Sequence, residues 1–140
     1  RLPVIVNGDI ASLSDARDAL SQSGADGVMI GRAALGRPWL VGEIAEGLAK
    51  GAVPALLPAD LASAAVAHYW SLIETMGEKQ GVRHARKHVA AYAEEAVRRG
   101  AEVDRRLLGE MLQSFDPQQV AAFINGLFLA IPVSRPGKAA

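Results

Sequence analysis

A short apolar run, Val28-Met29-Ile30, stops at Gly31-Arg32, and a helix-compatible stretch, Ala33-Ala34-Leu35, follows at once. A strand that ends in glycine and gives way to helix turns backbone N–H groups outward, which makes an anion site. A similar unit precedes it. Pro3-Val4-Ile5-Val6 reads as a strand buried on both faces and ends at the turn Asn7-Gly8-Asp9. Between them a helix is expected over Leu13–Ser23, capped by Ser12 or Ser14, with Leu13, Ala16, Ala19 and Leu20 facing inward and Gly24 as its stop. Strand, helix and strand in this order make a βαβ unit with parallel strands and a right-handed crossover.

Only helix is expected beyond this point. Pro38-Trp39 opens a helix to about Lys50, with the proline at an early position, and Gly51–Pro58 reads as the linker. A long helix runs from Pro58 or Ala59 to about Lys79, with Leu61, Ala65, His68, Tyr69, Leu72, Ile73 and Met76 at helical spacing. Gly81 is read as its break, and Val82 to Arg99 as the next helix, closed by Gly100. Val103–Gln113 follows, and Asp116-Pro117 starts a last helix to about Ala130. The expected organisation is a β-α-β-α portion at 1–52, a linker at 53–58, a helical domain at 59–131 and a disordered tail at 132–140. Two parallel strands alone bury little and expose two edges, so the first portion reads as the end of a larger parallel α/β sheet or barrel. Arg1-Leu2-Pro3 likewise reads as the middle of a longer chain.

Formal charge is zero over 140 residues, so no global field steers the chain toward nucleic acid or membrane, and any such argument must be local. The absence of cysteine excludes disulfides, thiolate metal ligands and a thiol nucleophile within these residues, and fits a cytoplasmic protein. The longest apolar stretch, Val120–Val133, is too short and interrupted for a membrane span.

Chemistry concentrates at the two strand-end turns. In a (β/α)8 barrel the loops after the last two strands commonly hold a phosphate. Gly8 and Gly31 would admit a phosphate close to the backbone, Arg32 would add a charge-assisted contact, and Asn7 would donate its amide to a ring or ribityl hydroxyl. Asp9 would repel phosphate and is better suited to accepting backbone N–H groups or a ligand hydroxyl. Ordinary turn glycines are the plainer alternative.

On a helix, Arg83, Arg86 and Lys87 fall within an arc of about 100°, a stripe suited to phosphates, which Arg98, Arg99, Arg105 and Arg106 could extend. From the residues alone, a solvated face neutralised by Glu94, Glu95, Glu102 and Asp104 is the plainer reading. His84 and His88 are spaced as a metal pair but have no third ligand at useful spacing. Trp39, Tyr69, Trp70 and Tyr92 read as packing residues, with Trp39 at the junction of the two portions. Glu94-Glu95 diverge by about 100° on a helix, so they read as solvated rather than as an acid–base pair.

The runs Pro3-Val4-Ile5-Val6-Asn7-Gly8-Asp9-Ile10 and Gly24-Ala25-Asp26-Gly27-Val28-Met29-Ile30-Gly31-Arg32-Ala33-Ala34-Leu35-Gly36-Arg37-Pro38-Trp39 resemble the last two β-α units of the tRNA-dihydrouridine synthases, nearest to their bacterial B-type branch. The resemblance continues through Gly81-Val82-Arg83 and Arg86-Lys87-His88. It implies an FMN-binding (β/α)8 TIM barrel followed by an all-α helical bundle domain that helps to hold tRNA. It further implies NADPH or NADH as reductant, hydride transfer from flavin to C6 of a uridine, and a cysteine that protonates C5.

By the same resemblance Asn7, Gly8 and Asp9 contact FMN, Gly31 and Arg32 hold its phosphate, and Arg83, Arg86 and Lys87 meet tRNA. The acid cysteine and flavin-contacting lysine of that family have no counterpart here, so no catalytic residue is expected in this chain, which alone would be inactive. A monomeric cytoplasmic enzyme without metal is the expectation. Another FMN barrel reductase with a helical extension, or a stand-alone helical RNA-binding module, are the alternatives.

Overall fold

The structure, a computed structural model, describes residues 1–133. The chain divides between Ala55 and Leu56 into two compact units. In the first, β1 (Ile5–Asn7) and β2 (Gly27–Met29) pair in parallel, with Val6 opposite Val28. The connecting helix α1 (Leu13–Ser23) keeps its expected bounds because its ends are fixed locally. Ser12, not Ser14, is its cap: the Ser12 hydroxyl accepts the Asp15 N–H at 3.1 Å, and the Asp15 carboxylate accepts the Ala11 N–H at 3.0 Å. A one-turn 3-10 helix, Arg32–Ala34, follows β2, and α2 (Leu40–Lys50) completes the unit. Pro38 lies before this helix rather than in its first turn, because Trp39 is the cap.

Ile10, Ala16, Leu40 and Ile44 form the core of this unit, with Ala19, Val28, Ile30 and Ala33 packed on it. Burying each large aliphatic side chain there contributes about 1.5–3 kcal/mol. The expected two-sided burial of β1 is not found. Val6 is half-buried and Ile5 remains 54% exposed. Successive side chains of a strand point to opposite faces, and Ile5 and Met29 belong to the exposed set.

The second unit contains α3 (Pro58–Met76), α4 (Glu78–Arg98), α5 (Arg105–Gln113) and α6 (Pro117–Leu129). Helices α3, α4 and α6 all contact one another, and α5 packs on α4 and α6. Their shared core includes Leu61, Tyr69, Val89, Tyr92, Ile124 and Phe128, with the Tyr92 and Phe128 rings edge to face at 6.1 Å. Asp104 and Asp116 cap α5 and α6, each through a carboxylate oxygen that accepts two backbone N–H groups. Capping by Asp104 moves the start of α5 two residues beyond the expected Val103. The tail expected over 132–140 lies, from residue 134, outside the described residues.

Gly81 lies inside a helix and not between two. It was expected to separate two helices, yet it sits buried within the first turns of α4. The break is at Gly77, whose φ of 78° is open to glycine at little cost. At Gly81 a Cβ would lie 2.6 Å from Ile73 Cα and 3.0 Å from the Leu72 carbonyl oxygen. Its missing side chain therefore serves the close approach of α3 and α4, a reason invisible in local sequence.

Candidate functional site

Because β1 and β2 run parallel, their C-terminal ends open on the same side, and the two glycine turns meet there. Asn7, Gly8, Asp9, Ile10, Ala11, Gly31, Arg32 and Ala33 line a cleft of about 490 Å³. All five residues expected at a cofactor, Asn7, Gly8, Asp9, Gly31 and Arg32, border this one space. Asp9 adopts a φ of 40°, a left-handed conformation that aspartate tolerates better than most residues. The space beside Gly31 is open: a Cβ built there meets nothing within 4 Å.

The Arg32 guanidinium donates to the Asp9 carboxylate at 3.0 Å, with both side chains more than nine-tenths exposed (94% and 92%). No backbone N–H bond to the Asp9 carboxylate is found among the described residues; its partner there is the cation across the cleft. Such an exposed pair contributes about 0–1 kcal/mol and exchanges readily for another partner. Arg37 joins these residues at the cleft. Its Nε donates to the Ala33 carbonyl at 3.1 Å, and its terminal nitrogen to the Ala11 carbonyl at 3.3 Å. Both acceptors belong to residues that line the cleft, so one half-buried side chain ties its two walls together. The only signal in the sequence was an arginine between a glycine and a proline, which does not announce this reach.

The second unit carries the basic stripe on α4. Arg83 and Lys87 are exposed, whereas Arg86 is half-buried. None of the three forms an ion pair among the described residues. The proposed extension is interrupted, since Arg98 and Arg99 are both committed to Glu95 at 2.7 and 2.6 Å. Glu95, expected to be solvated, is 7% exposed. Burial pushes its carboxyl up, but the hydrogen bonds and charges of Arg98 and Arg99 outweigh this and hold it below the ordinary value. Glu94 is exposed, as expected.

All three histidines of the chain gather between α3 and α4. The His68 and His88 rings meet edge to face at 5.0 Å, and His84 lies 5.8 Å from His88. His68 Nδ1 and the Tyr92 hydroxyl are hydrogen-bonded at 2.5 Å. No group of three or more His, Asp or Glu suited to a metal occurs among the described residues.

Burial, with the neighbouring His68, Lys87 and His84, pushes the His88 imidazole down from 6.5 to about 4. Burial also lowers that of His68. Between about 6.5 and 4 the unfolded chain therefore binds protons that the folded chain refuses, and stability falls as pH falls through this window. Solvent screening at a half-exposed ring limits the effect to about 1 kcal/mol. Unfolding free energies from urea titrations at pH 7 and pH 5 should differ by this amount, and H88Q should reduce the difference.

A family model described as dihydrouridine synthase (Dus) matches residues 1–127. This chain belongs to the dihydrouridine synthase family. A probable tRNA-dihydrouridine synthase of Rhodobacter capsulatus is 41% identical over 128 residues, covering 91% of this chain and 37% of the relative. The tRNA-dihydrouridine synthase B of Xanthomonas axonopodis pv. citri is 48% identical over 98 residues, covering 68% of this chain and 29% of that protein. A probable tRNA-dihydrouridine synthase of Rhizobium leguminosarum bv. phaseoli is 40% identical over 121 residues, covering 86% of this chain and 35% of the relative. The chain thus spans about a third of the length of the curated dihydrouridine synthases it matches. No helix among its described residues is long and apolar enough to cross a membrane.

Proposed function

We propose that this chain serves as part of an FMN-dependent tRNA-dihydrouridine synthase, an oxidoreductase that saturates the C5=C6 bond of uridines in tRNA at the expense of NADPH or NADH. In this reading β1 and β2 are the last two strands of a (β/α)8 barrel, and the second unit is the tRNA-holding helical domain. The observation that carries it is the cleft at the ends of two parallel strands, where Asn7, Gly8, Asp9, Gly31 and Arg32 converge.

The donor set suits a flavin phosphate. Open space beside Gly31 leaves room for phosphate oxygens near the backbone. The Arg32 guanidinium has five N–H donors, and Asp9 occupies one of its nitrogens. Arg32 would turn from Asp9 to the phosphate, and the released Asp9 carboxylate would accept a ligand hydroxyl. Asn7 would donate its amide to the ribityl chain or the ring. Arg37 would keep the two walls at the spacing the phosphate needs. When bound, FMN would supply the hydride chemistry; the residues here bind and orient. The chain contains no cysteine, so the proton donor expected of this family is not among these residues.

Arg83 and Lys87, exposed and without ion pairs among the described residues, would meet tRNA phosphates, with Arg86 beside them. In a full-length enzyme carrying this sequence, alanine at Arg83, Arg86 and Lys87 together should weaken tRNA binding about tenfold or more and reduce the salt slope by about 3. FMN affinity should be unchanged. Arg83→Ala with Lys87→Ala alone, which spares the half-buried Arg86, should give about two-thirds of the slope change. Undiminished tRNA affinity in both variants would overturn the RNA assignment.

A further inference from the structure

Phe115 lies outside both the strand-end cleft and the basic stripe of α4. It lies in the three-residue connection between α5 and α6, at positions 114–116, and its side chain remains 58% exposed. Arg86 of α4 places its guanidinium carbon 5.0 Å from the centre of the Phe115 ring, within the range of a cation–π contact. Arg86 Nε is buried and has no hydrogen-bond partner. The half-buried member of the basic stripe is therefore packed against an aromatic ring rather than neutralised by a carboxylate.

The connection that carries Phe115 is fixed on both sides. The Ser114 hydroxyl accepts the Asp116 N–H at 3.1 Å and meets the Gln119 side-chain oxygen at 3.1 Å. Asp116 in turn accepts the N–H groups of Gln118 and Gln119, which directs its charge to the start of α6. An exposed apolar ring on a fixed turn gains little from folding. Next to it, Arg83 lies one helical turn before Arg86, on neighbouring ground of the α4 surface. Ring and cations in this juxtaposition match single-stranded nucleic acid, in which bases offer flat faces and the backbone offers charge.

We propose that Phe115 is a base-stacking residue of the RNA contact, taking one unpaired base of tRNA onto its exposed ring beside the cations of α4. The proposal deepens the tRNA reading above and rests on it. Stacking on a ring backed by a guanidinium benefits from both apolar contact and polarisation, and needs no particular base.

The test is tRNA titration of a full-length enzyme carrying this sequence, at several salt concentrations, with unmodified transcript as the probe. Phe115→Leu should lower affinity about tenfold and leave the salt slope unchanged, since a ring releases no counterions. F115W should bind at least as well as the parent, and its indole emission should be quenched when tRNA is added. Arg83→Ala with Lys87→Ala should instead change the slope. Full affinity in Phe115→Leu, with the slope still sensitive to Arg83 and Lys87, would overturn the Phe115 proposal and leave the tRNA reading standing. A Phe115→Leu loss accompanied by a reduced slope and not restored in F115W would also overturn it, because the ring would then act only by holding Arg86. Absence of tRNA binding in the parent would overturn both.

Discussion

Gly81→Val is expected to destabilise the second unit by about 3 kcal/mol, at the upper end of what overpacking a core costs. The contact that causes this is with backbone. The new Cβ would fall 2.6 Å from Ile73 Cα and 3.0 Å from the Leu72 carbonyl oxygen, so no rotamer change can relieve it. Helices α3 and α4 would have to move apart near their connection at Gly77. That motion would loosen the packing of Ile73, Val82 and Ala85, all buried at this end of the pair.

Alanine at Gly81 should still cost stability, but less, because the same clash is offset by about 1 kcal/mol of gained helix propensity. Two helical glycines provide the opposite sign. A Cβ at Gly109 or Gly126 would meet nothing within 4 Å, so Gly126→Ala should raise stability by up to about 1 kcal/mol. Urea unfolding followed by far-UV circular dichroism would separate these outcomes. Equal effects at Gly81 and Gly126 would refute the close approach.

Glu95→Ala is the second large effect, expected to cost about 2 kcal/mol, since it removes the charge-assisted hydrogen bonds gathered on a buried carboxylate. The Glu95 carboxylate receives Arg98 through two nitrogens at 2.7 Å and Arg99 through Nε at 2.6 Å. Arg98, with its side chain 61% exposed, can turn to water; Arg99, at 28%, cannot do so fully. Glu95→Gln keeps an acceptor and should cost less.

The same pair gives an acid dependence. Because the folded-state carboxyl titrates below its ordinary value of 4.5, its contribution is complete above that value and is lost as pH falls through the folded value. This window lies below most of the one assigned to His88. The two can therefore be told apart: H88Q should flatten the loss between pH 7 and 5, and E95Q the loss below pH 4.5.

Both features bear on function through the scaffold. Gly81 and Glu95 sit on α4, the helix that carries Arg83, Arg86 and Lys87. A shift at Gly81 would displace the stripe itself, two residues away. Loss of Glu95 would remove a negative charge from beside Arg98 and Arg99 and change the charge of the surface. Variants at these positions should therefore be checked for folding before any change in RNA affinity is assigned to contact.

The sequence by itself determined what is decided within a few residues of chain. Asp116 starts its helix where a short polar side chain can accept N–H groups, while for the first helix the local pattern narrowed the cap to Ser12 or Ser14 and the structure chose Ser12. Gly24, in the left-handed region with φ 64°, stops the first helix where it was expected. Strand, glycine turn, helix and strand in order imply a parallel pair and therefore two turns on one side, which brought Asn7, Gly8, Asp9, Gly31 and Arg32 together as read.

Only the tertiary structure decided the features that depend on partners far along the chain. Gly81 resembles a breaker until α3 is seen against it. Glu95 resembles a solvated twin of Glu94 until its side of α4 is seen to be buried. Arg37 clamps the cleft through carbonyls at Ala11 and Ala33, and Phe115 meets Arg86 across a separation of almost thirty residues. Local propensity acts through a few neighbouring dihedrals and hydrogen bonds. Burial, close approach and cation–π contact act between surfaces that exist only once the helices have packed, and for that reason no local pattern could display them.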